Sequence, residues 1–124
     1  MKTLALSSLP HTWLIDVDGT ILKHNGHKSG GDALLYGVKA FWDTIPANDV
    51  IILLSARTQQ EMPATLAFLE QQGLRYNHAI FDMPKGERIL INDDKPGGLV
   101  TALAISTPRD KGLGELCWRI DPDL

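Results

Sequence analysis

Two aspartates, separated by one residue, stand at the end of an apolar run near the start of the chain. The segment Trp13-Leu14-Ile15-Asp16-Val17-Asp18-Gly19-Thr20 predicts a buried strand that ends in Asp16 and Asp18. Side chains two positions apart in an extended strand point to the same side, so the two carboxylates repel each other unless a cation or protons neutralise them, or the chain turns between them. The pair therefore indicates a site that holds a cation, and the alternative is a capped turn with Gly19 in its bend.

Polar residues also follow two later apolar runs. Ser55 follows the run at residues 50–54, and Asp93 and Asp94 follow the run at residues 88–92. Because apolar strands alternate with amphipathic helices along the chain, the pattern predicts a parallel sheet with right-handed crossovers. The ligand site of such a sheet lies at the carboxyl ends of its strands, so we expect these side chains to meet the first aspartate pair there.

Helices are predicted between these strands. Asp32 is the predicted N-cap of a helix over residues 34–45, and Thr58 with Glu61 has the spacing of a capping box that starts a second helix. The predicted strands lie before Asp16 and at residues 50–54, 78–81, 88–92 and 101–105, and a short helix is predicted within residues 112–118.

Residues 21–31 form a predicted flap beside the carboxylates. The dipeptide Asn25-Gly26 is typical of a tight turn, so the flap is expected to be a hairpin. His24 and His27 are expected to lie in solvent on this hairpin, close enough to the site for the flap to contact a substrate.

The carboxylates and the hydroxyl group at the ends of the predicted strands suit a magnesium site. Mg²⁺ is a hard cation that prefers oxygen and binds one or two carboxylates together with waters and a substrate phosphate. The sequence has no EF-hand loop, no P-loop and no Ser-His-Asp or Cys-His arrangement. A carboxylate is therefore the candidate nucleophile, as in phosphoryl transfer through an aspartyl-phosphate.

Four short motifs resemble those of one enzyme superfamily. The segment 16–20 resembles motif I (DxDGT) of the haloacid dehalogenase (HAD) superfamily of aspartyl-phosphate phosphatases. Ser55 ends an apolar strand as motif II does, Lys85 resembles motif III, and Asp93-Asp94 resembles the paired acids of motif IV. The motifs come in the same order as in the superfamily, and the resemblance covers most of the chain.

The resemblance implies different roles for the first two aspartates. Asp16 would attack the substrate phosphorus, and Asp18 would protonate the leaving oxygen and then deprotonate the water that hydrolyses the intermediate. Thr20 would orient Asp18, and Gly19 would let the chain turn under the phosphate. Both also count as phosphate-binding residues in this interpretation.

The resemblance also implies a metal site and a phosphate site. Mg²⁺ would be held by Asp16, by the backbone carbonyl of Asp18 and by Asp93, with Asp94 as a further ligand or as a residue behind the ligands. The remaining implied contacts are to the substrate.

Ser55 and Lys85 would bind the phosphoryl oxygens, where a cation and a donor stabilise charge in the transition state. Arg88 is an alternative to Lys85, and Lys95 is a more distant one. Arg57 either contacts the leaving group or forms a structural salt bridge.

The intervals between the motifs leave room for one helix each, so the chain resembles capless members of the superfamily. Among these, the chain resembles the short capless phosphatases of sugar-acid and surface-polysaccharide synthesis. They imply a small phosphorylated sugar or polyol as substrate and a homo-oligomer as the assembly. Two alternatives stay open: a phosphatase for a macromolecule, either a nucleic-acid 3′-phosphate or a phosphoprotein, and a non-catalytic HAD-like binding module.

Composition sets limits on the whole chain. The 124 residues predict one domain, residues 1–124, of the α/β class, with a three-layer Rossmann-like parallel sheet, helices on both faces and no cap. A net charge of −3 without a basic block disfavours nucleic acid, and no apolar run is long enough to cross a membrane. The single cysteine, Cys117, lies in no zinc-binding pattern and favours a reducing, cytoplasmic location.

Overall fold

The chain folds into five strands, two α-helices and one turn of 3₁₀-helix, in a computed structural model that describes all of residues 1–124. The elements are β1 (Lys2–Leu6), β2 (Thr12–Asp16), the 3₁₀ turn (Gly26–Lys28), α1 (Val38–Thr44), β3 (Val50–Leu54), α2 (Met62–Gln71), β4 (His78–Ile80) and β5 (Leu116–Ile120). Neither helix is long and apolar enough to cross a membrane.

The strands form two parallel sheets. The larger sheet has the order β2-β3-β4, with Ile15 of β2 opposite Leu53 of β3 and Leu53 opposite Ala79 of β4. The smaller sheet pairs β1 with β5, so that Lys2 lies opposite Leu116. The chain is therefore an α/β protein with parallel strands, as the sequence predicts, but its strands are divided between two sheets.

The core lies on one face of the larger sheet. Ile15, Ile51 and Leu53 point into a single buried cluster to which α1 contributes Trp42 and α2 contributes Leu69. The order of β2, β3 and β4 in the sheet is also their order in the sequence. When both crossovers in such a sheet are right-handed, the two connecting helices, here α1 and α2, lie on the same face. The prediction of helices on both faces is therefore not confirmed.

The apolar residues of the opposite face are less covered. Leu14 of β2 and Ile80 of β4 are each 47% exposed. They belong to the alternate positions of the strands, which point away from the buried cluster.

The second helix follows its sequence signals closely. Thr58 N–H donates to Glu61 Oε1 at 2.9 Å and Glu61 N–H donates to Thr58 Oγ1 at 3.3 Å, which are the two bonds of the predicted capping box. The helix itself begins at Met62, four residues after Thr58. The helix ends before Gly73, whose positive φ of 75° suits glycine, and Leu74 N–H donates to Leu69 O at 3.0 Å.

The first helix is shorter than predicted. It begins at Val38 rather than at residue 34, because Leu34 forms a bridge to Leu22 and Leu35 N–H donates to Ile21 O at 2.9 Å. These contacts hold the segment before α1 against the start of the flap. The predicted N-cap, Asp32, is consequently too far from the helix to cap it.

The predicted flap hairpin is wrong. Residues 26–28 form a 3₁₀ turn after Asn25, whose φ is 53°. The antiparallel contact lies further from the turn than predicted, where Leu22 forms a bridge to Leu34 and Lys23 N–H donates to Ala33 O at 3.0 Å.

The predicted strands at residues 88–92 and 101–105 are also wrong. Residues 84–110 contain no helix and no strand, and the apolar Ile89 and Ile91 are exposed. The outer strands β2 and β4 of the larger sheet each keep a free edge, and neither of these two apolar runs pairs with it.

The predicted helix within residues 112–118 is a strand instead. The segment starts with Gly112 and Gly114, which weaken a helix, and β5 then pairs with β1 at the other end of the chain. No element was predicted for β1, because nothing in the first ten residues indicates a partner so distant in sequence.

A buried aspartate joins the amino-terminal ends of β2 and β3. Asp49 is 3% exposed and accepts hydrogen bonds from His11 N–H, His11 Nδ1 and Trp13 Nε1, each at 3.0 Å. Burial alone raises the pKa of Asp49, but the hydrogen bonds from Trp13 and His11 outweigh burial and hold this pKa below its ordinary value. The carboxylate therefore favours the folded state when it is ionised.

We expect Asp49→Asn to lower the free energy of unfolding near neutral pH by ~1–3 kcal/mol, because charge-assisted hydrogen bonds are lost. The pKa of Asp49 is depressed by folding, so its contribution is complete above the ordinary value of 3.8 and is lost as the pH falls through the lower folded value. Urea unfolding of both proteins should show a difference that shrinks in acid. Asp43→Asn, at an exposed ion pair with Lys39, is the matched control. A difference that grows in acid would contradict the assignment.

Candidate functional site

The carboxyl ends of β2 and β3 bring three predicted site residues together. Asp16 is the last residue of β2 and lies opposite Leu54, the last residue of β3. Ser55 follows directly, and Asp18 lies two residues beyond Asp16 in the turn that leaves the sheet. The expected meeting of polar side chains at this edge is therefore observed for the first two motifs.

The turn after β2 separates the two carboxylates. Val17 O accepts hydrogen bonds from the N–H groups of Thr20, Ile21 and Leu22, and Gly19 takes a positive φ of 81°. Ile21, Leu22 and Val17 are completely buried and anchor this turn in the core. The repulsion expected of an extended strand is relieved, because the chain turns between Asp16 and Asp18.

Asp16 lies at the surface of the site with a partner on each oxygen. Thr20 Oγ1 donates to Asp16 Oδ2 at 2.8 Å, and Arg88 Nη1 lies 2.6 Å from Asp16 Oδ1. The Asp16 side chain is 34% exposed, so solvent and small molecules reach it. Thr20 was expected to orient Asp18, and in the structure its hydroxyl orients Asp16 instead.

Asp18 is held by a buried arginine. Arg57 Nε donates to Asp18 Oδ2 at 3.0 Å, and Arg57 Nη2 donates to Asp18 Oδ1 at 2.6 Å. The same guanidinium donates to both oxygens of Asp32, at 2.8 and 2.9 Å, and to Thr65 Oγ1 at 2.9 Å. All five N–H groups of Arg57 therefore have acceptors.

The arrangement answers the question left open for Arg57. Its residue exposure is 3%, and no donor remains to contact a leaving group. Burial alone lowers the pKa of Arg57, but the hydrogen bonds and charges of Asp32 and Asp18 raise the pKa above its ordinary value. Of the two alternatives from the sequence, the structural ion pair describes this residue.

Ser55 lies at the base of the site. It is 1% exposed, and its Oγ accepts the N–H of Arg57 at 3.0 Å. The hydroxyl proton has no acceptor within the protein, but the residue is almost closed to solvent in this structure. The contact with a phosphoryl group stays a prediction.

The third and fourth motifs are not joined to the first two. Lys85, Asp93 and Asp94 are exposed on the segment 84–110, and none of them forms a hydrogen bond or an ion pair with Asp16 or Asp18. That segment reaches the site through Arg88 instead.

The residues that the resemblance assigns to Mg²⁺ do not fit the ion as they stand. No three or more His, Cys, Asp or Glu side chains come together in a group that could hold a metal ion. Thr20 and Arg88 occupy the oxygens of Asp16, and Arg57 occupies both oxygens of Asp18. A metal-dependent step cannot be derived from this arrangement.

The flap contacts α2 through a histidine. His27 Nε2 contacts the Glu61 carboxylate, and the side chain is 18% exposed, so the expectation of a solvated His27 is wrong. Hydrogen bonds from Thr58 and the His27 contact lower the pKa of Glu61. His24 is held by its backbone, which donates to Asp110 Oδ1 at 2.8 Å.

Sequence reasoning missed three residues that shape the site. Asp32 and Thr65 hold Arg57, and the N–H of Asp110 donates to Gly19 O at 2.8 Å in the turn after β2. Asp32 lies 25 residues from Arg57 along the chain, so no local pattern connects the two. The only available signal was an arginine close after a predicted buried strand, which requires buried acids as partners.

Comparison with known proteins finds no matching family model, no curated protein with significant sequence similarity and no solved structure with a significant match. Function must therefore be inferred from the chemistry of the site.

The two arginines of the site should differ in their effect on stability. We expect Arg57→Ala to lower the free energy of unfolding by ~3–5 kcal/mol, because it leaves two carboxylates that are only 17% and 10% exposed without their partner. Arg88→Ala removes an ion pair whose side chains are 32% and 34% exposed, so we expect a loss of ~1 kcal/mol or less. Urea unfolding of the two variants measures the difference, and equal losses would show that Arg57 is not the structural ion pair described above.

Proposed function

We propose that the chain is a phosphomonoester hydrolase that acts through an aspartyl-phosphate on Asp16. The observation that carries this proposal is the environment of the Asp16 carboxylate at the end of β2. Thr20 orients one oxygen, a guanidinium lies at the other, and the side chain is open to solvent. A nucleophile for a phosphate needs these three properties: orientation, a neighbouring cation and access.

Arg88 is the proposed cation for the phosphoryl group. A guanidinium binds phosphate oxygens with the same geometry that it uses for a carboxylate. An arriving phosphate would draw Arg88 from Asp16 Oδ1 to its own oxygens, which frees that carboxylate oxygen to attack. Ser55 would donate its free hydroxyl proton to another phosphoryl oxygen, and Lys85 remains a second candidate for the cationic role.

The reaction then has two steps with a balanced transfer of protons. In the first, Asp16 forms a bond to phosphorus, the ester P–O bond breaks, and Asp18 gives its proton to the leaving oxygen. In the second, Asp18 takes a proton from a water molecule that attacks the same phosphorus, and the bond to Asp16 breaks to release phosphate. Asp18 starts and ends each cycle protonated, so the first step requires that Asp18 first gains a proton and gives up part of the ion pair with Arg57 that the structure shows.

Mg²⁺ belongs to the proposal only as a requirement that the resemblance implies. The resemblance assigns it to Asp16, the carbonyl of Asp18, Asp93 and Asp94, but these residues form no group that could hold a metal ion, so no step above is assigned to it. Because Arg88 already contacts Asp16, a metal ion at this carboxylate would compete with Arg88.

The substrate class, the fold type, the assembly and the cellular location are also proposals that follow from the resemblance. A small phosphorylated sugar or polyol suits the open site, and the net charge of −3 disfavours a nucleic-acid polymer. We also propose a capless HAD-type, three-layer fold, a homo-oligomer and a cytoplasmic location. The half-exposed Leu14 and Ile80 support a third layer, because apolar side chains on that face of the sheet lack a cover.

One observation favours a second candidate, a non-catalytic phosphate-binding module. Both aspartates of the first motif are paired with arginines, and this pairing neutralises them without any reaction. Binding of a phosphate analogue such as vanadate, with no turnover of any phosphoester, would support this candidate over the hydrolase.

We expect Asp16→Asn to abolish phosphate release, because an amide oxygen is a poor nucleophile and forms no stable phosphoryl ester. The measurement is phosphate release from a panel of sugar, polyol and nucleotide phosphates in the presence of Mg²⁺. Asp43→Asn makes the same chemical change at an exposed ion pair and should retain full activity. Turnover by Asp16→Asn at the wild-type rate would exclude Asp16 as the nucleophile.

Arg88→Ala should lower kcat/KM by ~10²–10³-fold, because a positively charged donor to the transition state is lost. Lys85→Ala should cause a smaller loss, since the Lys85 side chain has no contact with Asp16. A larger loss from Lys85→Ala would assign the phosphate-binding cation to Lys85.

A further inference from the structure

The guanidinium of Arg57 connects Asp18 to two side chains that take no part in the proposed chemistry. We propose that Asp32 and Thr65 are positioning residues that act through Arg57 to fix the Asp18 carboxylate for proton transfer. This inference rests on the proposed function, since it concerns the group that protonates the leaving oxygen.

The hydrogen bonds fix Arg57 on every side. Nε and Nη2 face Asp18, Nη1 and Nη2 face Asp32, and the remaining N–H of Nη1 faces Thr65. The guanidinium is planar and rigid, so acceptors at its far side determine the direction of the side that holds Asp18. Arg57 cannot rotate unless it loses at least one of these bonds.

Both positioning residues are themselves anchored. Thr65 is 2% exposed and donates its hydroxyl proton to Glu61 O at 2.9 Å in the first turn of α2. Asp32 precedes Ala33, whose carbonyl accepts the N–H of Lys23 at 3.0 Å at the start of the flap. The position of Asp18 is therefore set by α2 and by the segment that closes the flap, as well as by its own turn.

Substrates with different leaving groups distinguish a positioning role of Asp32 and Thr65 from a purely structural role. An alkyl phosphate releases an alkoxide, which needs the proton of Asp18, whereas para-nitrophenolate leaves as a stable anion without it. A displaced Asp18 therefore slows the first step for an alkyl phosphate and has little effect on para-nitrophenyl phosphate. A general loss of folded protein would slow both substrates equally.

The experiment compares kcat/KM for glycerol phosphate and for para-nitrophenyl phosphate, because kcat/KM reports the steps up to formation of the aspartyl-phosphate. For Asp32→Asn we expect a loss of ~10–100-fold on glycerol phosphate, as displaced catalytic groups typically cause. The loss on para-nitrophenyl phosphate should be about threefold or less, since that leaving group needs no proton. Thr65→Val should change the ratio in the same direction, and Thr65→Ser, which keeps the hydroxyl, should restore it.

Controls make every outcome decisive. Asp43→Asn should leave the ratio of the two substrates unchanged, and thermal unfolding shows which variants are folded. If Asp32→Asn does not fold, Thr65→Val decides, because it removes the two hydrogen bonds of the Thr65 hydroxyl and leaves both carboxylates paired with Arg57. Equal losses on the two substrates, or no loss, would overturn the positioning role and leave the proposed hydrolase intact. A wild-type protein that hydrolyses neither substrate would refute the proposed function itself, and the positioning role with it.

Discussion

A buried guanidinium needs an acceptor for each of its N–H groups, and in this protein that requirement brings three parts of the chain together. Arg57, just after β3, takes its acceptors from the turn after β2, from the segment that follows the flap and from α2. A buried charge without these partners would cost several kcal/mol, so Asp18, Asp32 and Thr65 are held close to one another. The shape of the site follows from satisfying this one side chain.

Arg88, the second arginine of the site, is exposed to solvent, whereas Arg57 is buried. Arg88 and Asp16 are each about one third exposed, and ion pairs in that setting contribute little to stability. A buried pair is fixed, whereas an exposed pair exchanges easily with an incoming anion. The two aspartates of the motif, although only two residues apart, therefore differ in freedom: Asp18 is held in place, and Asp16 can be released for reaction.

Local signals predicted the centre of the chain well. The run of branched apolar residues at Val50–Leu54 and the capping box before α2 depend on neighbours in sequence, and both are observed. The pairing of β1 with β5 joins the two ends of the chain, and no local pattern carries that information. Residues 88–92 show the converse: the run has the composition of a strand, yet it pairs with neither free edge of the larger sheet and its isoleucines are exposed.

The site could be predicted in the same uneven way. The motif at residues 16–20 identified Asp16 and Asp18 from their spacing, and Ser55 from its place at a strand end. The partners of those residues were not predictable, because Arg57 meets Asp32 across 25 residues and Arg88 meets Asp16 across 72. Asp93 and Asp94 were expected beside Asp16 on the strength of a strand that does not form.

The most direct test of the account is to trap the covalent intermediate. The protein is quenched in acid during turnover of para-nitrophenyl phosphate and reduced with borohydride, which converts an aspartyl-phosphate into homoserine. Peptide mass spectrometry then identifies the modified position. The account predicts homoserine at residue 16 and at no other aspartate, whereas turnover with an unmodified Asp16, or homoserine at a different position, would contradict it.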